Sequence, residues 1–288
     1  MRWDQGHNSN DVEDNRGQGG GGGGFGIGGL LGLLPFLIRT PFGWVIILLM
    51  GGFWLCTRLG GVGGGKHAQS GAVGGATEEQ EKHFVSFVLD DTQATWTQIF
   101  EQRHQTYRHA KLMLFTDGTR TGCGFGDAAT GPFYCPQDEH VYIDLGFYQE
   151  LSDRLGAKGE FAKAYVVAHE IGHHVQKLLG ISEKASGLHG PEKGATGSSV
   201  RLELQADCFA GIWAHSTGER KILDSGDIES ALGAAKAIGD DRLQKMSTGA
   251  VSPEKWTHGS SEERMRWFQT GYDKGSVDAC DTFAASQL

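Results

Sequence analysis

Thirteen consecutive residues, Ala164-Tyr-Val-Val-Ala-His-Glu-Ile-Gly-His-His-Val-Gln176, limit this chain more than any other stretch. Most of them are helix or core formers, so the segment is expected to be helical. Within it His169-Glu170-Ile171-Gly172-His173 reads H-E-x-x-H. Four residues is slightly more than one helical turn, so His169 and His173 share a face and can hold one ion between them. Glu170 is rotated from them by about 100°, beside such an ion, where a base for an activated water belongs. A chance H-E-x-x-H on an ordinary helix is the plain alternative. Against it, Tyr165, Val166, Val167, Ala168, Ile171 and Val175 are apolar and would draw the imidazoles into the core. Buried polar groups need partners, and a metal provides one.

A zinc site that does chemistry takes three protein ligands and keeps a position open. Glu203 is the natural third ligand, in Glu203-Leu-Gln-Ala-Asp207 on a second expected helix. Asp207, four residues on, shares its face and is placed to accept the second ring N–H of a zinc histidine. On their own, Glu203 and Asp207 would suit a solvated helix face, but Leu202, Leu204, Ala206, Phe209 and Ala210 argue for burial. H-E-x-x-H followed by Glu-x-x-x-Asp resembles the gluzincins. His174, about 100° from its neighbour, is read as structural. His83, His104, His109, His140, His189 and His215 have no ligand spacing, and Asp90-Asp91 and Glu262-Glu263 are expected as helix-surface acids.

The 288 residues suffice for one sizeable domain. A formal charge of -9, with no basic cluster or phosphate loop, argues against nucleic-acid binding. Of five cysteines, Cys56 lies in an apolar stretch. Cys123, Cys135, Cys208 and Cys280 are an even set that suits two disulfides in an oxidising compartment, and four cysteines allow three pairings. Cys123 and Cys135 flank a glycine-rich turn, which favours 123–135 and, by elimination, 208–280. Four buried thiols are the alternative.

Residues 1–39 are expected to be a flexible, glycine-rich tail with an apolar lead-in from Phe25 to Ile38. Residues 40–57 are eighteen uncharged residues between Arg39 and Arg58, within the range of a transmembrane helix, with Trp44 and Trp54 toward its ends. The apolar block starts too late for a cleaved signal peptide, so an uncleaved anchor is expected. Arg2, Arg16 and Arg39 precede it and Arg58 and Lys66 follow, which favours a cytoplasmic N-terminus. Residues 58–76 read as a flexible linker and 77–288 as the globular domain. A helix from Thr77 to about His104, strands at 111–115, 133–135 and 140–144, and helices at about 146–156, 159–179, 198–217, 225–245 and 260–272 are expected.

From about residue 77 onward the chain resembles a family of neutral zinc metallopeptidases, mostly bacterial, single-span membrane proteins. The resemblance rests on Gly131-Pro-Phe-Tyr-Cys-Pro136, Val141-Tyr-Ile-Asp-Leu145, His169 through Gln176, Glu203 through Cys208, and Thr257-His-Gly-Ser-Ser261, in that order. It implies an α+β, zincin-like fold, helix-dominated, with a small β-sheet before the metal helix and one transmembrane helix ahead of it. It also implies one Zn2+ per chain on His169, His173 and Glu203, and a peptide or protein substrate. With the charge bias and the even cysteine set, the expected location is the inner membrane, N-terminus cytoplasmic and catalytic domain periplasmic. Related membrane gluzincins carry a Thr-His…Arg motif, which assigns His258 to the oxyanion and Arg264 to positioning the site; a helix-capping loop is the alternative for both. The expected activity is peptide-bond hydrolysis with Glu170 as general base. A zinc-stabilised scaffold at the membrane, without turnover, is the rival reading, and a deformylase-like hydrolase with cysteine on the metal is a poorer one.

Overall fold

The thirteen-residue stretch is the centre of a helix because its apolar residues bury nearly all the way round. In the computed structural model, which describes residues 1–17 and 71–288 with side chains from residue 77 in the second stretch, it lies in α3 (Glu160–Leu178). Phe161, Ala164, Tyr165, Val167, Ala168, Ile171 and Val175 have no exposed surface. The elements before it are β1 (Val12–Asp14), α1 (Gly71–Gln102), β2 (Lys111–Phe115), the hairpin β3 (Gly118–Thr121) and β4 (Gly124–Asp127), β5 (Phe133–Cys135), β6 (His140–Asp144) and α2 (Gly146–Asp153). After it come α4 (Ile181–Ser186), α5 (Ser198–Glu219), α6 (Asp227–Ala237), α7 (Asp240–Thr248) and α8 (Ser261–Lys274). The architecture is α+β and helix-dominated, with a small sheet ahead of α3. Residues 1–17 and 77–288 belong to one compact unit.

The main sheet has strand order β1-β2-β6-β5. β2 runs parallel to both β1 and β6, and β5 is antiparallel to β6, with Phe133 opposite Tyr142 and Cys135 opposite His140. Leu112, Leu114, Val141 and Ile143 alternate into the core against Val85, Val88, Leu89 and Trp96 of α1. On the far side of α3, Phe161 stacks on Trp213 of α5 at 5.3 Å and Trp96 meets Phe209 edge-on at 5.2 Å.

α5 is held between α3 and α8 by glycine. A Cβ on Gly172 would lie 2.9 Å from the Ala206 carbonyl oxygen, so the residue between the two motif histidines lets α5 come close. α5 and α8 touch backbone to backbone, since a Cβ on Gly211 would lie 2.1 Å from the Phe268 oxygen and one on Gly271 1.9 Å from the Cys208 oxygen. The Cys208–Cys280 disulfide fastens the chain after α8 to α5, and Cys123–Cys135 ties the β3–β4 turn to β5. Both bonds follow the favoured pairing. α8 opens with a capping box, Ser260 and Glu263 each bonding the other's backbone N–H.

Several expectations are corrected. Residues 1–17 are not a flexible tail. Met1 is buried, its ammonium 3.0 Å from Asp227, and Trp3 packs on Phe84. β1 adds a strand beside β2, with Leu112 N–H donating to Asp11 and Asn15 N–H to Leu114. The polar composition that suggested disorder is matched by partners: Asp90, expected as a solvated acid, accepts from Ser9 and pairs with His7 at 2.8 Å. Asp91 likewise takes the Trp213 N–H and an Arg220 ion pair. The last six residues of the expected linker are the start of α1. The helix expected over 225–245 breaks at Gly239, whose extended backbone caps α7. The expected transmembrane segment, residues 40–57, lies outside the described residues. Among those described, no helix is long and apolar enough to cross a membrane.

The α5–α8 crossing gives a direct test. Gly211→Ala inserts a methyl into carbonyl contact and is expected to destabilise the protein by at least about 2 kcal/mol in chemical denaturation. An unchanged midpoint would show that the helices can part there.

Candidate metal centre

α3 brings the two motif histidines to the floor of a cleft of about 870 Å³, and α5 brings Glu203 across from them. One donor atom from each of His169, His173 and Glu203 lies within 4.8 Å of the others. The Nε2 atoms of His169 and His173 face the two oxygens of Glu203, at 3.2 and 3.4 Å. Two imidazoles and a carboxylate converging from two helices fit a small divalent cation. The electrostatics agree. Burial alone would depress the His169 pKa, but the carboxylates of Asp207 and Glu203 outweigh it and raise it to about 10. His173 is raised for the same reason by Glu203, whose own pKa is held well below the carboxylate range by the histidines despite its burial.

Each histidine is fixed from behind. His169 Nδ1 lies 2.8 Å from Oδ1 of Asp207, which is wholly buried. Asp207 also accepts from Tyr165 and from Nε and a terminal nitrogen of Arg264 at 2.8 and 2.9 Å. Arg264 is itself buried, and its terminal nitrogen also donates to the Tyr165 hydroxyl at 3.2 Å. His173 Nδ1 lies 2.9 Å from the side-chain oxygen Oε1 of Gln176, whose amide nitrogen donates to the Leu202 backbone and to Gln205. These contacts set which ring nitrogen faces Glu203.

Glu170 lines the same cleft and is 7 % exposed. Among the described residues its carboxylate has no hydrogen-bond partner. His174, read as structural, is buried; its ring meets the Tyr134 hydroxyl at 2.9 Å and the Arg108 carbonyl at 2.6 Å, bracing α3 against β5. His258 also lines the cleft, on the loop before α8, half exposed. That loop hangs on Asp240, which accepts the backbone N–H groups of Thr257, His258 and Gly259 and lies 3.3 Å from the His258 ring.

Tyr165, Gln176 and Asp240 were not singled out from sequence. Tyr165, one turn before His169 on the same face, carried a usable signal. Asp240 carried none, because its partners are 17 to 19 residues away. The opposite wall of the cleft is the β5 region, Gly131 through Tyr134, with β5 at the edge of its sheet.

Over residues 1–283 the chain matches the model of the family described as "Putative neutral zinc metallopeptidase". It belongs to that family. "Uncharacterized protein YpfJ" of Escherichia coli (strain K12) is 45% identical over 298 residues, covering 99% of this chain and 100% of that protein. "Uncharacterized protein Rv2575" of Mycobacterium tuberculosis (strain ATCC 25618 / H37Rv) is 48% identical over 193 residues, 63% of this chain and 65% of the other. No solved structure matches.

The turn beside the cleft makes a pH test possible. Glu139, between β5 and β6, is lowered from 4.5 to about 2, first by Arg108 at 2.7 Å and then by Lys177 of α3 at 2.9 Å. An acid depressed on folding adds stability that is complete above its unfolded value and lost as pH falls through the folded one. Between pH 5 and 2, wild-type stability is therefore expected to fall more steeply than that of Glu139→Gln. Parallel denaturation curves would mean the ion pairs contribute nothing.

Proposed function

We propose that this protein is a zinc-dependent endopeptidase of zincin-like architecture that cleaves extended peptide segments. The observation that carries the reading is the convergence of His169, His173 and Glu203 in one open cleft beside Glu170, which has no hydrogen-bond partner among the described residues. A purely structural zinc site closes its fourth position with another ligand and has no use for an acid standing beside it.

Bound zinc would supply Lewis acidity toward a scissile carbonyl and acidify a water. Glu170 takes the proton of the attacking water and passes it to the leaving amine. His258, on the loop fixed by Asp240, donates toward the oxygen on which negative charge develops. Asp207, held by Tyr165 and Arg264, keeps His169 in one tautomer, and Gln176 does the same for His173. The edge of β5, which pairs with no further strand among the described residues, aligns an extended substrate by backbone hydrogen bonding, which selects unfolded or loop segments. Phe133, Phe147, Leu155, Leu243 and Met246 in the lining suit apolar side chains.

The apolar stretch at 40–57 supports membrane anchoring, and the two disulfides support an extracytoplasmic location for the catalytic unit.

The test is Glu170→Gln in the full-length protein, with zinc content and cleavage of casein measured together. Zinc is expected to stay bound while turnover falls about 10²–10⁴-fold. Full activity in the variant would remove Glu170 as the base. Zinc in both proteins with cleavage in neither would favour the scaffold reading.

A further inference from the structure

The N-terminal segment is part of the same body as the metal centre, and this restricts how the chain can meet a membrane. β1 pairs with β2 in register, Val12 opposite Leu112, Glu13 opposite Met113 and Asp14 opposite Leu114. Further contacts spread along the segment. The Met1 ammonium meets Asp227 of α6, Arg2 N–H donates to the Ile222 carbonyl, and Trp3 packs against Phe84 and Phe87 of α1. Asp11 bonds Lys111, and Arg16 reaches Glu79. Paired strands lie about 5 Å apart, whereas the hydrocarbon core of a bilayer is about 30 Å thick. No lipid layer can lie between residues 1–17 and 77–288.

Both apolar runs fall between these two stretches. Phe25–Ile38 and Thr40–Thr57 are separated by Arg39, the only charge from residue 25 to residue 57. A single crossing would carry residues 1–17 to the face opposite the catalytic unit and would strip β2 and Asp227 of their partners. Resting on the anchoring reading above, we propose that residues 1–17 and 77–288 lie on one side of the membrane. It stands in place of the expected single-pass arrangement, in which the N-terminus is cytoplasmic and the catalytic unit is on the other side. It makes the N-terminal strand a clamp, so that the catalytic unit is tethered by both ends of the apolar stretch.

The test uses the full-length chain in its native membrane, with Cys56→Ser as background. Gln5 and Arg266 are exposed and make no side-chain hydrogen bond among the described residues, so Gln5→Cys and Arg266→Cys report on the two stretches separately. A membrane-impermeant maleimide is applied to spheroplasts and again after permeabilisation, with the background protein as reference. The two cysteines are expected to behave alike, both labelled or both protected until permeabilisation. One labelled and the other protected overturns the proposal. A second measurement does not depend on labelling: Glu13→Cys with Met113→Cys is expected to cross-link in membranes under a mild oxidant, and its failure to do so counts against the shared face. Protein that sits wholly in the soluble fraction overturns the anchoring itself, an outcome distinct from opposite sidedness.

Discussion

The buried carboxylate of Asp207 is the interaction on which the rest of the structure turns. It has no exposed surface, yet from α5 it meets donors of two other helices: Tyr165 and His169 of α3, and Arg264 of α8. An isolated buried charge would be strongly unfavourable, so all three helices must be in place together for it to be tolerated. Glycine makes that approach possible. Gly172 lets α5 lie against α3, and Gly211 and Gly271 let α8 lie against α5. The packing that satisfies Asp207 also brings Glu203, one turn earlier on α5, to the ring nitrogens of His169 and His173.

Around this core the site is assembled from opposed roles. α3 and α5 supply the donors from below, β5 and its preceding turn form one wall, and α7 with the His258 loop forms another. Asp240 joins the last two, since it stands at the start of α7 and holds three backbone N–H groups of the loop. His174 and Glu139 brace α3 against the β5–β6 region. The cleft is therefore bounded on each side by elements that also contact the metal helix or its neighbour.

Much of this was legible in the chain because it depends on local spacing. The helix carrying His169 and His173, the helix carrying Glu203 and Asp207, the strand pair around Pro136 and the Cys123–Cys135 pair follow from periodicity and turn chemistry, and Cys208–Cys280 was left by elimination. What was not legible depends on remote partners. β1 is three residues long in a polar segment and becomes a strand only because β2 offers it an edge. Asp90 and Asp91 read as solvated acids because their partners are the N-terminal segment and α5. The break at Gly239 was hidden by helix-favouring residues on both sides, and Gln176 looked like the end of a motif when it is the residue that orients His173.

The central claim is that two imidazoles and one carboxylate of this chain hold a single zinc ion while the four distal cysteines are committed to disulfides. The zinc K-edge absorption spectrum of the purified full-length protein tests it most directly. The account predicts one zinc per chain with a first shell of nitrogen and oxygen at about 2.0–2.2 Å and the multiple scattering of two imidazoles. Scattering from sulfur at about 2.3 Å, or folded protein that takes up no zinc, would contradict it.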